Sequence, residues 1–229
     1  VSYVVEADIR GFFDPVNHEW LIKFLEKRIG DQRVIRLIWR MLKSGVMVDG
    51  LTQASDEGAP QGGSLSPLLS NVYLHYVLDM WFERYFRKGC RGETYYLRFA
   101  DDFLACFQYR EEAERFLAML AERLGKFHLE VEPTKTKLLK FGRFAREGAE
   151  RQGQNPDTFD FLGFTHYCGL TRQGSFKVKR RTSKKKFRAK LQELKAWLKQ
   201  TRSHVKAGAL LRTAKAKLQG HLNYYAITD

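Results

Sequence analysis

The stretch RFADDF at residues 98–103 places two adjacent aspartates between apolar, aromatic-rich runs, YYLRF before them and FLACF after them. Such runs on both sides of a short polar pair predict a β-hairpin that raises the carboxylates of Asp101 and Asp102 to the tip of a buried sheet. An ordinary turn is the alternative, because aspartate is common in tight turns. The choice between a site and a turn therefore depends on the residues that accompany this pair.

A third aspartate lies near the start of the chain, in VVEADIRGFFD at residues 4–14. Val5, Ala7 and Ile9 alternate with polar residues, which is the period of a strand with one face against a core. Asp8 belongs to the other face and can therefore line a cleft. Three aspartates of this kind would suffice to hold two magnesium ions about 3.5–4 Å apart, the arrangement that supports in-line displacement at phosphorus.

A glycine-bearing loop lies between the two aspartate elements in the sequence, within GAPQGGSLSPLLSN at residues 58–71. Gly62 and Gly63 remove side chains where a backbone would approach a ligand. Ser66 and Pro67 predict the start of an apolar helix of about twenty residues. For the glycine pair alone, a loop that only turns a corner is the alternative. The order of aspartate strand, glycine loop and double aspartate is what makes the combination specific.

Five stretches in this order resemble successive motifs of the reverse transcriptase family, and within it of the proteins encoded by bacterial group II introns. They are ADIRGFFDPVNH, APQGGSLSPLLSN, RFADD, EPTKTK and FDFLGF, and they span most of the first 170 residues. A further stretch, GHLNYY at residues 220–225, resembles the end of that family's maturase or thumb region. The resemblance implies an RNA-directed DNA polymerase that also has a maturase role in intron RNA splicing and mobility.

The resemblance also implies which residues perform the chemistry. Asp8, Asp101 and Asp102 would bind two Mg²⁺ ions, and a primer 3′ hydroxyl would attack the α-phosphate of a deoxynucleoside triphosphate. Lys135, in EPTKTK, occupies the position of a lysine near the leaving pyrophosphate, where a cation or general acid would ease departure of negative charge. A solvated turn lysine is the alternative for Lys135.

Further contacts with substrates are implied by the same motifs. The residues expected against the nucleotide or the template are Ile9, Phe13, Gln61, Gly62 and Gly63. The expected primer grip consists of Phe161, Leu162 and Gly163, and a hairpin that only packs in a core is the alternative there. One departure from the family's pattern is Phe99, where tyrosine is more frequent, so a hydrogen-bond donor near the primer end is missing.

Positive charge is concentrated towards the end of the chain. The net charge is +14, and residues 171–220 hold 17 Lys and Arg against one acid, Glu193. A segment so one-sided repels itself unless it meets a polyanion, and nucleic acid fits better than a membrane surface. The residues expected to contact nucleic acid are Lys184, Lys185, Lys186 and Arg188. The partners that the resemblance implies are an RNA template with a DNA primer, intron RNA and deoxynucleoside triphosphates.

The apolar spacing together with the resemblance predicts an α+β fold. We expect a polymerase palm at residues 1–170, an antiparallel sheet with helices on one face, followed by a small all-helical basic thumb at residues 171–229. Two early helices should cover the back of the sheet, the second through Val34, Leu37, Ile38 and Met41. Residues 142–157 should form a surface loop.

The ends of the chain and its composition lead to further expectations. The chain begins at the catalytic strand, so we expect a fragment without the fingers region and with an incomplete thumb. Three scattered cysteines suggest neither a disulfide framework nor a zinc site. No apolar run reaches the roughly 18 residues of a membrane span, and a cytoplasmic location is expected.

Other functions remain open at the level of sequence. An RNA-binding maturase with an idle polymerase site would keep the same motifs, and so would a CRISPR-associated or other bacterial reverse transcriptase. An RNA-directed RNA polymerase shares the palm chemistry, but the aromatic ring of Phe13 favours deoxynucleotides. The sequence leaves the oligomeric state and the identity of the template RNA undetermined.

Overall fold

The strands on either side of the double aspartate form a four-stranded sheet with the first strand of the chain. A computed structural model describes residues 1–12, 15–43, 46–48, 51–53 and 65–226. Two compact units divide the chain, Val1–Leu139 and Lys140–Asp229. The strands up to this boundary are β1 (Tyr3–Ala7), β2 (Val46–Val48), β3 (Leu51–Gln53), β4 (Thr94–Phe99), β5 (Asp102–Phe107) and β6 (Lys137–Lys140). The helices of the first unit include α1 (His18–Glu26), α2 (Gln32–Lys43), α3 (Ser66–Leu74) and α4 (Arg110–Gly125).

The sheet has the strand order β4-β5-β1-β6, and β5 pairs antiparallel with both of its neighbours. Alternate residues such as Val5, Ala7 and Phe103 share one buried cluster with Phe116 and Leu120 of α4. Because side chains alternate between the faces of a strand, the acidic residues of β1 and β5 fall on the other face. The predicted α+β fold, an antiparallel sheet with helices on one face, is confirmed.

The helix that follows the glycine loop changes its winding along its length. After α3, π-helical turns extend over His75–Asp79 and Phe82–Phe86, and a 3₁₀ turn ends the run at Arg87–Gly89. A π turn leaves carbonyl groups without the usual helical partner. The guanidinium of Arg123 on α4 fills this role, since it donates to the carbonyls of Val77 at 2.9 Å and Tyr76 at 3.2 Å.

The prediction for the apolar face of α2 was partly wrong. Val34, Leu37 and Met41 are 40%, 58% and 44% exposed, whereas Ile35 and Leu42 are buried. The helix thus packs against its neighbours through the adjacent stripe that contains Ile35 and Leu42. Both stripes carry apolar residues at helical spacing, so the pattern fits either of them. Periodicity alone could not choose between them.

The second unit contains three helices and three strands in its described part. They are α5 (Arg143–Arg151), β7 (Phe159–Phe161), β8 (Phe164–Leu170), β9 (Phe176–Thr182), α6 (Lys184–Thr201) and α7 (Ala207–Tyr225), and the strands pair antiparallel in the order β7-β8-β9.

Two details of the second unit differ from expectation. The loop predicted over residues 142–157 was partly wrong: Arg143–Arg151 forms helix α5, and residues 152–157 are irregular. In α5, Ala145 is buried, and Arg143–Glu147 and Arg146–Glu150 form ion pairs one helical turn apart. The segment expected to be all-helical begins with strand β9, and its helices start at Lys184. The division into palm and thumb at residue 170 stays a prediction.

Among the described residues, no helix is both long and apolar enough to cross a membrane.

Candidate active site

The register of the sheet brings two of the predicted aspartates face to face. The ladder between β1 and β5 ends at the pair Ala7 and Phe103, so the next residues, Asp8 and Asp102, stand opposite each other. Residues opposite each other in an antiparallel pair project from the same face, with Cα atoms about 4.5–5.5 Å apart. Asp101 lies beside them in the two-residue turn between β4 and β5. The register thus places the three predicted aspartates at one end of the sheet.

Lys135 also belongs to this cluster. Its Nζ donates a hydrogen bond to Oδ2 of Asp8, and the backbone N–H of Ile9 donates to Oδ1 at 3.0 Å. Hydrogen bonding and charge attraction from Asp8 raise the pKa of Lys135, and the charges of Glu132 and Asp102 add to the effect. The Lys135 side chain is 66% exposed and that of Asp8 16%, so the ammonium covers the carboxylate from the solvent side.

The carboxylates have the chemistry that Mg²⁺ requires, because hard divalent cations prefer anionic oxygen ligands. Among the described residues, however, no three His, Cys, Asp or Glu side chains are arranged closely enough to hold one metal ion. Oδ2 of Asp8 is engaged by Lys135. The donor set therefore fits magnesium, and the use of Asp8 as a ligand requires Lys135 to give up or share this oxygen.

Arg98 contacts the aspartate turn, and this contact was not predicted from the sequence patterns. Its side chain is only 10% exposed, and both its Nε and Nη2 donate to the carboxylate of Asp79, at 2.7 and 2.6 Å. Burial opposes the charged form, but hydrogen bonding and charge attraction from Asp79 outweigh it and raise the pKa of Arg98. The remaining Nη1 donates to Asn71 and to the carbonyl of Ala100, both at 2.8 Å. The sequence did contain one indication of this contact: Arg98 is a charged residue within an apolar strand, and a buried charge requires a partner.

The nucleotide-contacting residues expected from the motifs are only partly visible. Phe13, Gln61, Gly62 and Gly63 lie outside the described residues, so their roles stay predictions. The Ile9 side chain is 3% exposed and belongs to the core. Only the backbone of Ile9 could therefore meet a nucleotide.

The predicted primer-grip residues Phe161, Leu162 and Gly163 lie at the turn between β7 and β8. Leu162 and Gly163 have φ angles of +51° and +82°. A Cβ on Gly163 would lie 2.7 Å from Oη of Tyr225, and Tyr224 donates from its hydroxyl to the Leu162 carbonyl at 3.1 Å. Within the second unit, FDFLGF therefore packs against GHLNYY, and this contact by itself explains the glycine.

The basic residues predicted to meet nucleic acid are grouped at the start of α6. Lys184, Lys185, Lys186 and Arg188 are all exposed, and the first turn of α6 has no acidic residue. The first turn of a helix carries partial positive charge from the backbone and favours anions. The three lysines repel one another and the positive end of the helix dipole, and a bound anion would reduce this repulsion.

The family described as reverse transcriptase (RNA-dependent DNA polymerase) matches residues 1–166. Protein YkfC of Escherichia coli K12 is 40% identical over 94 residues, 41% of this chain and 25% of that protein. The group II intron-encoded protein LtrA of Lactococcus lactis subsp. cremoris is 42% identical over 88 residues, 36% of this chain and 15% of that protein. This chain spans a quarter or less of the length of these relatives.

Solved structures of telomerase share the fold. The apo telomerase of Candida tropicalis truncated from its C-terminal domain has a TM-score of 0.57 at 15% identity, covering 77% of this chain and 35% of that chain. The Candida albicans telomerase in complex with a fragment of telomeric RNA has a TM-score of 0.53 at 14% identity, covering 99% of this chain and 41% of that chain. At such low identity the likeness extends to the fold alone.

Proposed function

This chain belongs to the reverse transcriptase family, and from this premise we propose that it carries the catalytic site of an RNA-directed DNA polymerase of group II intron type. The observation that supports the proposal most is the meeting of Asp8, Asp101 and Asp102 at one end of the β4-β5-β1 sheet. Asp8 comes from one motif and the pair Asp101–Asp102 from another, and local turn chemistry would not require all three.

In this proposal the three aspartates would hold two Mg²⁺ ions. When bound, the ions supply Lewis acidity to the phosphate and help to deprotonate the primer 3′ hydroxyl. The protein residues orient the reacting groups: the aspartates at the sheet end face the primer terminus and the α-phosphate of the incoming deoxynucleotide. Lys135, which lies beside Asp8, would stabilise the departing pyrophosphate and donate a proton to it.

The basic start of α6 supports a second part of the proposal, which concerns RNA. Lys184, Lys185, Lys186 and Arg188 form an exposed cationic group, and contacts of this kind bind phosphates without reading sequence. We assign to this surface the backbone of a template-primer duplex or of intron RNA. A maturase role in splicing would use the same surface.

One observation favours a second candidate, an RNA-binding maturase with an idle polymerase site. Lys135 engages Asp8, and the described carboxylates do not form a ready-made metal cluster. A protein whose polymerase site is idle could keep such an arrangement indefinitely. The two candidates differ in whether the protein makes DNA at all.

Primer extension on an RNA template with Mg²⁺ distinguishes the two candidates. It should be measured with the protein as the cell makes it, beside RNA binding in the same buffer. We expect labelled primer to be extended with deoxynucleotides and RNA to be bound. Tight RNA binding without any extension would instead favour the maturase with an idle site.

A further inference from the structure

Arg98 occupies an unusual position for an arginine in an edge strand. The outward residues of β4, Tyr95, Leu97 and Phe99, are 49%, 51% and 63% exposed, while the Arg98 side chain turns inward and is 10% exposed. An arginine stays protonated in proteins, so a buried guanidinium needs several acceptors to offset its lost hydration. Its partners show what this arrangement holds in place.

One half of the guanidinium is anchored to the helical run that follows α3. Nε and Nη2 form a two-point pair with the carboxylate of Asp79, a geometry that fixes the plane of the guanidinium as well as its position. Asp79 lies in the first π-helical turn, whose freed carbonyls at Tyr76 and Val77 are held by Arg123. The anchor is therefore attached to two packed helices.

The other half of the guanidinium reaches the turn that carries the catalytic pair. Nη1 donates to the carbonyl of Ala100 and to Oδ1 of Asn71, each at 2.8 Å. Asn71 is itself oriented, because its Nδ2 donates to the carbonyl of Pro67 at 3.0 Å. Arg98 thus joins α3, the π-helical turn and the aspartate turn through one planar group.

The carbonyl of Ala100 controls the direction of the next residue. Ala100 has a φ angle of +53°, a conformation that residues other than glycine rarely adopt. Because the peptide unit is planar, holding the Ala100 oxygen also fixes the N–H and the Cα of Asp101. The hydrogen bond from Arg98 is therefore placed to hold the strained turn in the one orientation that it shows.

We propose that Arg98 is a positioning residue for the aspartate pair, acting from Asp79 through the Ala100 carbonyl on Asp101. The inference rests on the proposed function, because the carboxylates at this turn are the groups to be positioned. Arg98 lies on the helix-facing side of β4, so its contribution is to the geometry of the metal-binding groups. Its loss should weaken cation binding and slow turnover much more than it changes RNA binding.

The test compares Arg98→Lys with Arg87→Lys in the protein as the cell makes it. Lysine keeps the positive charge, yet its single ammonium cannot bridge Asp79, Asn71 and Ala100 in one plane. Arg87→Lys is the matched control, because Arg87, with half of its side chain exposed, pairs with Glu83 one helical turn away. Each variant is assayed for primer extension, Mn²⁺ binding by electron paramagnetic resonance, RNA affinity and thermal unfolding.

For Arg98→Lys we expect kcat to fall by about tenfold or more and Mn²⁺ to bind about tenfold more weakly. The KM for deoxynucleotide and the RNA Kd should stay within about twofold of the unchanged protein, and Arg87→Lys should match the unchanged protein throughout. Unaltered turnover and Mn²⁺ binding in Arg98→Lys would overturn the proposal. So would losses in turnover that merely follow equal losses in thermal stability and RNA affinity.

A second variant and a second measurement cover the cases in which the first test gives no result. If Arg98→Lys does not fold, Asp79→Asn, which keeps the shape but removes the charge of the anchor, must show the same separation of Mn²⁺ binding from RNA affinity. Normal Mn²⁺ binding by Asp79→Asn would then contradict the proposal. If even the unchanged protein extends no primer, the proposed function fails on its own, and Mn²⁺ binding alone decides the role of Arg98.

Discussion

Among single residues, Lys135 has the contacts that bear most directly on chemistry. Its ammonium donates to Asp8, and its pKa is raised by Asp8 first and by Glu132 and Asp102 in addition. A lysine that stays protonated at this place can either donate a proton to the leaving group or only balance charge. Substitution distinguishes these roles.

Lys135→Met should slow single-turnover primer extension by about 100-fold, the usual size of a lost general acid. RNA affinity should not change, because Lys135 lies outside the basic segment at residues 171–220. Lys135→Arg is the informative control: it keeps the positive charge but is a poor proton donor, so it should remain slow if proton donation matters. Extension at the normal rate by Lys135→Met would show that Lys135 is only a turn lysine.

At the scale of elements, the turn between β7 and β8 forms a joint with the end of α7. Gly163 has a φ angle of +82°, and the Tyr225 hydroxyl occupies the space that a side chain would need. Gly163→Ala should lower the free energy of unfolding by about 2–4 kcal/mol, through backbone strain and overpacking together. Chemical denaturation followed by circular dichroism measures the change.

Gly174→Ala separates the two causes. Gly174 has nearly the same φ angle, +83°, but no atom of the described residues lies within 4 Å of the position a Cβ would take. This variant should therefore carry the backbone strain alone, about 1–2 kcal/mol. Adding Tyr225→Phe to Gly163→Ala should recover part of the difference, because it removes the hydroxyl oxygen in closest approach. Equal losses in Gly163→Ala and Gly174→Ala would show that the joint with α7 adds nothing.

The first turn of α6 is the element with the clearest electrostatic role. Replacing Lys184, Lys185 and Lys186 by glutamine should weaken RNA binding for all sequences alike, since phosphate contacts carry no base information. The slope of log Kd against log salt should become shallower by about 0.7–0.9 for each lysine that contacts a phosphate. Filter binding across a salt series gives both quantities.

An equal loss of charge elsewhere is the control for this triple variant. The exposed lysines of the first unit suited to it are Lys23, Lys27 and Lys126. Their replacement by glutamine should alter the salt slope little. The same slope change in both triple variants would indicate a general effect of net charge, and no change in either would place the RNA surface elsewhere.

At the scale of the whole molecule, the sequence predicted the features that depend on local patterns. The alternation around Asp8 and the apolar runs around Asp101 predict strands with a fixed facing, so the meeting of these residues could be anticipated. The resemblance to the reverse transcriptase family and the α+β fold are both confirmed. The roles of Phe13, Gln61, Gly62 and Gly63 stay predictions.

What the sequence did not predict depends on long-range packing. The pair of Arg98 with Asp79 joins residues 19 positions apart through a π-helical turn, and such turns have no sequence pattern of their own. The buried stripe of α2 was misjudged because two apolar stripes with the same period compete on one helix. Tertiary contacts decide which stripe is buried, and the periodicity of one helix does not show which stripe faces its neighbours.

We propose that the aspartates at the sheet end catalyse DNA synthesis, and Asp101→Asn tests this role most directly. Asp31→Asn is the control, because it makes the same chemical change at an exposed residue paired with Arg33. Primer extension on an RNA template and RNA affinity are measured together in the protein as the cell makes it. We predict that Asp101→Asn reduces extension to background while RNA affinity and the Asp31→Asn control stay normal. Undiminished extension by Asp101→Asn would contradict the account.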